Sequence, residues 1–458
     1  MMARETSSPR IAFVVPQYGL DLGGGLERLC QLIAERMRNA WDIEVLTTCS
    51  RDFSTWANYY PAGLAQGTDV RVRRFPVERE RDPDSFRRLT DSVLQGSPTR
   101  EEEEQWIGAQ GPDCPALFNY IESHFQDFEL FIFFGYLYST TSLGIWRARG
   151  KSVLVPAAHD EPMIRLSVYR DVLRAADFIL YSTPEERILV ESILGETTRG
   201  EIAGVGCEVP ELAPEIGIEV PTPYLIYVGR VDHPKGCGEL LHFFAHRPPG
   251  LSRLNLCLVG HKRMEIPPIE GVYWLGYRSD EEKNHLVSGA LALVNPSPYE
   301  SLSLVLLEGW LCGVPVLVNG RCSVLRGQCQ RSGGGLSYID DETFYQAVRA
   351  VYHSPAFRSL LAIRGGRYAR QMYSWERVEA AYWKALREVA AALPGSAGIL
   401  PARGPQASCL LAPPTPSTAP TEQGGRMPSA PVQARCLRSQ EERPKLAFVI
   451  PWYGKNIP

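Results

Sequence analysis

The sequence lacks several signals that assign a protein to a class at once. Its 11 cysteines include no C-x-x-C pair and stand mostly inside apolar runs, which favours buried thiols in a reducing compartment over a disulfide framework. The net charge of −4 offers no basic surface to nucleic acid. No apolar run reaches 18 residues, and the first, 11–15, is too short for a signal-peptide core. We therefore expect a cytoplasmic protein without a membrane span.

Aromatic residues are missing altogether from residues 394–444. Ten Pro and five Gly fall in this segment. Such a composition cannot bury enough apolar surface to offset the entropy of an ordered chain. We expect a disordered linker here.

The residues after this linker repeat the beginning of the chain. Residues 9–19, PRIAFVVPQYG, align with 444–454, PKLAFVIPWYG, and seven of the eleven positions are identical. An isolated segment of this length has no partner against which to bury a strand face. We interpret 445–458 as the truncated start of a second copy of the first unit; an extra strand added to the first sheet is the alternative.

The rest of the chain alternates short apolar runs with helical patterns. This alternation predicts parallel sheets covered by helices on both faces. The pattern restarts after a Pro-rich stretch at 210–223. We expect an α/β protein with two doubly wound domains, 1–207 and 208–373, and a ligand between them at the carboxyl ends of the strands. The predicted strands are 11–16, 42–49, 69–77, 130–134, 152–156, 178–181, 223–230, 254–260, 272–276, 291–297 and 313–320; the predicted helices are 26–37, 238–247, 279–290, 341–353 and 374–393.

A glycine turn follows the first predicted strand. Gly24 and Gly25 directly precede a helix, where a missing Cβ and free backbone N–H groups suit a phosphate. The spacing is not G-x-G-x-x-G, so a dinucleotide site is not supported. By itself the turn is better explained by tight local geometry than by a phosphate site.

Two cations stand in the loop after the strand 223–230. Arg230 and Lys235 lie five residues apart in GRVDHPKG. Two fixed cations at the end of a parallel strand suit a diphosphate, on which charge develops when it leaves.

A pair of glutamates brackets the segment ESLSLVLLE. Glu300 and Glu308 are eight residues apart, with Ser301 or Ser303 available to cap a helix over 304–311. A carboxylate accepts hydrogen bonds from neighbouring hydroxyls, so a ribose or a hexose is a natural partner. Free N–H groups after Glu300 could bind phosphate.

Together, GGGLER, VGRVDHPKG, ESLSLVLLEGWLCGVPVL and YSWERVEAAYW resemble glycosyltransferase family 4 over about residues 1–393. The resemblance implies the GT-B fold, in which two Rossmann-like domains face a cleft. It also implies a retaining transferase that uses a nucleotide-sugar and needs neither a metal ion nor another cofactor. The closing helix, 374–393, is then expected to cross back to the first domain. Leu26 departs from the alanine common in the family.

The resemblance also implies a role for each motif residue. Arg230 and Lys235 match the pair on the donor diphosphate, Glu308 the residue on the ribose, and Glu300 the residue at the donor sugar. The expected donor-binding residues are Gly24, Gly25, Arg230, Lys235, Glu300, Ser301, Leu302, Ser303 and Glu308; the expected catalytic residues are Glu300, His159, Arg230 and Lys235.

A polar cluster follows the strand 152–156. His159 matches a cleft histidine of the family, whereas without the resemblance it would be a structural residue. Asp160 and Glu161 are neighbours without an assigned role. Glu185 and Glu186 are interpreted as acids at the start of a helix, and the acidic run 101–104 as a solvated helix face.

These features imply transfer of a sugar to a glycan or lipid-linked acceptor, in cell-surface polysaccharide biosynthesis. The acceptor hydroxyl would attack on the face that the nucleotide leaves; a double displacement through Glu300 is the alternative. A GT-B epimerase and a non-catalytic sugar-nucleotide-binding partner of another transferase also remain open. Peripheral contact with the inner face of the plasma membrane is compatible with the sequence.

Overall fold

The computed structural model describes residues 8–19, 24–210, 212 and 217–392. The predicted linker at 394–444 and the repeated segment at 445–458 lie outside the described residues. The described part contains two α/β domains, each built on a sheet whose strands are almost all parallel.

The first domain contains an eight-stranded sheet in the order β3-β4-β2-β1-β5-β6-β7-β8. All neighbouring strands are parallel except β3, which runs antiparallel to β4. The order reverses beside β1, which places its carboxyl end at a topological switch point. The strands are β1 (Arg10–Val14), β2 (Asp42–Thr48), β3 (Gly63–Leu64), β4 (Arg71–Phe75), β5 (Leu130–Phe134), β6 (Ser152–Val155), β7 (Phe178–Tyr181) and β8 (Gly200–Ile202).

The second domain contains a six-stranded parallel sheet in the order β11-β10-β9-β12-β13-β14. Its order reverses between β9 and β12, so the loops after these two strands share one crevice. The strands are β9 (Tyr224–Val228), β10 (Asn255–Val259), β11 (Val272–Gly276), β12 (Ala292–Asn295), β13 (Val316–Asn319) and β14 (Gly335–Tyr338).

Helices cover both faces of each sheet. The first domain has α1 (Gly25–Met37), α2 (Pro83–Gln95), α3 (Arg100–Gln110), α4 (Pro115–Ser123), α5 (Ser139–Ser142), α6 (Ser167–Ala175) and α7 (Pro184–Leu194). The second has α8 (Cys237–Ala245), α9 (Asp280–Ser288), α10 (Leu304–Leu311), α11 (Ser323–Ser332), α12 (Asp341–His353) and α13 (Pro355–Met372), and α14 (Trp375–Ala392) closes the described chain. Short 3-10 turns occupy Phe125–Asp127, Ile145–Ala148, Pro162–Arg165 and Pro249–Leu251.

The central strands are apolar along their whole length because both faces of the sheet are covered. Every residue of β5, with the sequence LFIFF, is buried. Continuous rather than alternating apolar runs are typical of such strands. This is why the sequence predicts β5 and β7 at their observed bounds and most other strands to within a few residues. The edge strand β11 is also predicted at its bounds, although none of its residues is buried.

Several of the elements that were not predicted from the sequence carry weak patterns. Strand β3 has two residues, both exposed, and β14 has only one buried residue in four. Helix α13 contains the pair Gly365–Gly366, whose Cα atoms lie against Trp310, so no long side chain could stand there.

The acidic run in α3 is not wholly a solvated face. Glu103 is only 5% exposed. Its carboxylate accepts hydrogen bonds from Ser167 N at 3.0 Å, Ser167 Oγ at 2.6 Å and Val168 N at 2.9 Å. Glu103 therefore holds the first turn of α6, whereas Glu101, Glu102 and Glu104 are exposed.

The last helix packs on the first domain. Helix α14 contacts β7 and β8. The Trp41 ring centroid lies 6.3 Å from that of Tyr382 and 5.3 Å from that of Trp383. Lys384 Nζ lies 2.6 Å from Glu201 Oε2.

The chain passes between the two domains in two segments that touch each other. Cys207 N donates to the carbonyl of Tyr373 at 2.9 Å. A Cβ on Gly204 would overlap the Tyr373 ring, and one on Gly206 would overlap the Trp375 ring. Glycine is therefore required at this crossing for close approach.

Among the helices that the structure describes, none combines the length and the apolar character needed to cross a bilayer.

Candidate active site

The predicted site residues follow strands whose carboxyl ends meet at the cleft. Gly24 comes after β1 and His159 after β6 in the first domain; Arg230 comes after β9 and Glu300 after β12 in the second. Parallel sheets bind their ligands at this edge. The fold thus brings together residues that lie up to 276 positions apart in the sequence.

The cation loop is anchored by one buried carboxylate. Asp232, which is 2% exposed, pairs with the guanidinium of Arg230 through Nε and accepts a hydrogen bond from Lys235 N at 2.8 Å. A single side chain therefore orients both ends of the loop.

Lys235 joins the cation loop to the glutamate segment. Its Nζ lies 2.8 Å from Glu300 Oε1. Burial would raise the pKa of Glu300, but the charge and hydrogen bond of Lys235 and the charge of His159 lower it below its usual value. Glu300 is thus an ionised carboxylate although only 15% of its side chain is exposed.

His159 approaches the same place from the first domain. Its Nδ1 lies 3.7 Å from Glu161 Oε1, which also accepts a hydrogen bond from the Tyr136 hydroxyl at 2.7 Å. Burial would lower the pKa of His159, but Glu161 and then Glu300 raise it. Lys235 opposes this rise, and the neighbours of His159, Ala158 and Asp160, line one cavity with Glu300.

Glu186 supports the histidine from behind. It accepts hydrogen bonds from Ala158 N and Ser182 N, both at 2.5 Å, and is completely buried. Burial raises its pKa to about 7. Glu186 lies in the first turn of α7, as the sequence predicts. Its hydrogen bond to the backbone next to His159 could not be predicted from the local pattern.

The segment between β12 and α10 is held by Asn295. Its Oδ1 accepts from Ser297 N at 3.0 Å and its Nδ2 donates to Ser303 Oγ at 2.9 Å. Ser303 adopts φ 72°, an unusual conformation for a residue with a Cβ. The expected side-chain cap is wrong, because α10 begins without a capping hydrogen bond from Ser301 or Ser303.

The two residues after Glu300 are held mainly through their backbone. The Ser301 carbonyl accepts from Thr183 Oγ1 of the first domain at 3.0 Å. The Leu302 carbonyl accepts from Gln328 Nε2 at 2.6 Å, and the Leu302 side chain is buried. If Ser301 and Leu302 bind the donor as predicted, the groups available for this are their backbone N–H groups and the Ser301 hydroxyl.

Glu308 lies in a separate ion-pair network. Its Oε2 is 3.1 Å from Lys283 Nζ, which also lies 2.8 Å from Asp280 Oδ1. Asp280 in turn lies 3.6 Å from Arg28 of the first domain. Lys283 was not predicted, because nothing in the local pattern of α9 distinguishes it from a surface lysine.

The glycine turn has a neighbour that the sequence analysis did not assign. Gly24 has φ −82° and ψ 142°, so its glycine is not required by backbone conformation. A Cβ there would overlap the Glu27 carboxylate, whereas one on Gly25 would meet open space. Burial raises the pKa of Glu27 and the charge of Arg230 opposes this. A carboxylate thus faces the predicted diphosphate site.

An ion pair also joins the two walls beside the cleft. Glu185 of α7 pairs with Arg331 of α11 through both carboxylate oxygens. The nearby cavity is lined from both domains, with Asp160 and Glu186 on one side and Tyr299 and Glu300 on the other. In the described part of the chain, no group of three or more His, Cys, Asp or Glu side chains is arranged to hold a metal ion.

Comparison with known families identifies part of the second domain. Residues 208–356 match the family model described as "Glycosyl transferases group 1". The matched segment contains Arg230, Lys235, Glu300 and Glu308.

Curated relatives are distant. Alpha-maltose-1-phosphate synthase of Mycobacterium tuberculosis is 27% identical over 181 residues, 35% of this chain and 46% of the relative. The chain thus spans less than half the length of the first relatives it matches. D-inositol 3-phosphate glycosyltransferase of Saccharomonospora viridis is 24% identical over 429 residues, 82% of this chain and 92% of the relative.

Solved structures match over both domains. Sucrose-phosphate synthase from Thermosynechococcus elongatus superposes with a TM-score of 0.64 at 17% identity, covering 84% of this chain and 100% of that one. The chain has the GT-B fold. Another structure with this fold, Anabaena Alr3699/HepE in complex with UDP and glucose, has a TM-score of 0.59 at 15% identity and covers 83% and 99%.

The GT-B fold confirms the expected architecture of two Rossmann-like domains. The matched model and the named relatives are glycosyltransferases or sugar-phosphate synthases, which supports the expectation of a hexosyl-transferring enzyme of class EC 2.4. The roles of the individual site residues remain predictions.

Proposed function

We propose that the chain is a retaining glycosyltransferase of family 4 that transfers a sugar from a nucleotide-sugar to a glycan or lipid-linked acceptor. The observation that carries this proposal is the Lys235–Glu300 ion pair of 2.8 Å, faced by His159 from the other domain. A cation, a carboxylate and an imidazole around one cleft suit the diphosphate and hydroxyls of an activated sugar.

In this proposal each donor group has a partner. Arg230 and Lys235 bind the diphosphate, Glu308 the ribose hydroxyls, and Glu300 and His159 the transferred sugar. The backbone N–H groups near Ser301 and in the glycine turn would add uncharged hydrogen bonds to the phosphates. No metal ion or other cofactor is required, so activity should survive a chelator.

The proposed chemistry proceeds on one face of the sugar. The acceptor oxygen bonds to the anomeric carbon while the bond from that carbon to the diphosphate oxygen breaks. The acceptor proton passes to the departing phosphate oxygen, and the two cations stabilise the charge that develops there. The configuration at the anomeric carbon is therefore kept.

A double displacement would instead require Glu300 to attack the sugar. The comparison of Glu300→Gln with Arg230→Ala separates the two routes. If Glu300→Gln keeps near-normal transfer while Arg230→Ala abolishes it, Glu300 is not a nucleophile.

A donor screen tests the function. Nucleotide release is measured from a panel of UDP-, GDP- and ADP-sugars, starting with UDP-glucose, with and without a pool of glycan acceptors. Acceptor-dependent release from one donor is the expected result. Conversion of the nucleotide-sugar without acceptor would indicate an epimerase, and donor binding without turnover would indicate a non-catalytic partner protein.

The cellular role is proposed by the same reasoning. We place the enzyme in the cytoplasm, where nucleotide-sugars are available, in cell-surface polysaccharide biosynthesis. A lipid-linked acceptor would bring it to the inner face of the plasma membrane. Sedimentation with acceptor-bearing vesicles, but not with plain ones, is the result that this predicts.

A further inference from the structure

Arg81 lies in the first domain at the edge where the active site is proposed. It follows β4, while Trp56 follows β2 and Tyr138 follows β5. These are carboxyl ends of parallel strands, as are the positions of Gly24 and His159. The Trp56 ring joins Arg81 to Tyr138, with centroid distances of 5.3 Å to the guanidinium carbon and 5.4 Å to the Tyr138 ring. Burial and then the charge of Glu27 raise the pKa of Tyr138, and the charges of Arg81 and Arg230 oppose this rise.

The contacts of Arg81 are all with neutral groups. Its Nε donates to the Gln110 carbonyl at 3.1 Å and its Nη2 to Gln110 Oε1 at 3.1 Å. Its guanidinium carbon lies 5.3 Å from the Trp56 ring centroid and 4.4 Å from that of Phe86. These contacts fix the plane of the guanidinium but do not neutralise its charge.

Among the described residues, no carboxylate forms an ion pair with Arg81. The acid whose charge reaches it is Asp52, and both Asp52 oxygens are used within their own loop, by Ser54 N at 3.0 Å and Thr55 Oγ1 at 3.0 Å. Burial lowers the pKa of Arg81 to about 10. A half-buried cation without a counter-ion favours an anion.

The loop after β2, which contacts Arg81 through Trp56 and the Thr55 carbonyl, also presents aromatic surface. Tyr59 is 62% exposed, and its ring lies edge-on to Tyr60 with the centroids 5.0 Å apart. Arg51 stacks on Tyr59 at 4.9 Å. Phe53 lies 5.7 Å from the Arg230 guanidinium of the other domain. Exposed aromatic faces present flat apolar surface with polar edges, which suits a sugar ring.

We propose that Arg81, with the aromatic residues of 53–60, forms the acceptor subsite, and that the acceptor sugar carries an anionic group, a phosphate or a carboxylate. Arg81 binds the anion through the guanidinium edge that Gln110 leaves open, and Tyr59 supports the ring. This rests on the proposed transferase function and adds a substrate class to it.

The test compares matched acceptors. A hexose is paired with its 6-phosphate and with its uronic acid, and kcat/KM is measured with the donor found in the screen. For wild type we expect a preference of about tenfold or more for one anionic member, the value of one charge-assisted contact. Arg81→Gln should bring that ratio close to one. Arg88→Gln, on an exposed position of α2, should retain it.

Two outcomes overturn the proposal. One is a wild type that uses neutral and anionic sugars equally well; the other is an Arg81→Gln variant that keeps the preference. Preference for the phosphate or for the uronic acid identifies the natural anion.

Binding separates this proposal from the proposed function. Calorimetry of the hexose 6-phosphate and the uronic acid, with saturating nucleotide, does not need turnover. If an anionic sugar binds wild type and not Arg81→Gln, yet no donor is ever used, the transferase function fails and the anion site stands. Where Arg81→Gln does not fold, Arg81→Lys replaces it. The Kd of the anionic sugar should then rise with salt while that of the neutral sugar does not; equal salt dependence would refute the site.

Discussion

Lys235 Nζ lies 2.8 Å from Glu300 Oε1, so the residue proposed for the donor diphosphate neutralises the residue proposed for the donor sugar. The carboxylate is the more shielded partner, because 15% of the Glu300 side chain is exposed against 35% of the Lys235 side chain. A bound donor would offer both groups new partners, phosphate oxygens for Lys235 and hydroxyls for Glu300. Donor binding would therefore exchange an existing ion pair for two new contacts.

Removing the lysine should change the pH dependence of the enzyme. Lys235 lowers the pKa of Glu300, so in Lys235→Met that pKa rises. Because the ionised carboxylate is then lost at a higher pH, the acidic limb of kcat/KM should move upward, together with a fall in rate. Lys384→Met removes a lysine paired with Glu201 in the first domain and should leave the limb in place. An acidic limb that stays where it is in Lys235→Met would contradict this role.

The two glutamates should be distinguishable by the ligand they affect. Glu308→Gln should weaken binding of the free nucleotide and of the nucleotide-sugar alike, by about tenfold, since both carry the ribose. Glu300→Gln should weaken only the nucleotide-sugar. Calorimetry with both ligands measures this, and Glu270→Gln on an exposed turn is the control. Equal losses for both variants with both ligands would refute the assignment.

Glu103 should contribute to stability although it belongs to an acidic run. Glu103→Ala leaves three hydrogen-bond donors at the start of α6 without their acceptor and should cost about 2–4 kcal/mol. Glu101→Ala, on the exposed side of the same helix, should cost less than about 0.5 kcal/mol. Denaturant midpoints of the two variants provide the measurement. Similar midpoints would mean that the contact with Ser167 and Val168 is worth little.

Glu186 should give the protein a measurable pH dependence of stability. Its pKa in the folded state is about 7, above the ordinary value of 4.5, so the folded state binds more protons than the unfolded state between these pH values. Stability relative to Glu186→Gln should therefore fall as pH rises through this window, by up to about 3 kcal/mol, and level off above it. Unfolding curves at several pH values test this. Parallel stability curves for the two proteins would show that Glu186 titrates normally.

The central strands could be predicted from the sequence because a short, continuous apolar run between turn residues is typical of a strand covered on both faces. The roles of Glu103 and Glu186 could not be predicted in this way. Both stand in the first turn of a helix, where an acid usually faces solvent. In the structure each side chain reaches the backbone of a different segment, and only the tertiary arrangement brings that segment near.

The local geometry around the proposed donor site could not be predicted from the sequence either. Ser303 stands at the expected position before α10, but its hydroxyl is engaged by Asn295 and its backbone has φ 72°. A serine before a helix normally predicts a cap. Lys283 likewise lies in the predicted helix 279–290, yet only the approach of α9 to α10 makes it the partner of Glu308.

The two segments that connect the domains touch each other at Gly206 and Trp375, and we expect this contact to be the hinge between the domains. Because both connecting segments run through one narrow place, we expect the domains to swing about it rather than slide past each other. The Cβ of an alanine at position 206 would overlap the indole ring of Trp375 and would push the two connecting segments apart. Residue 206, which touches no ligand, would then determine the distance between His159 and Glu300. That distance sets the size of the sugar that the cleft can bind.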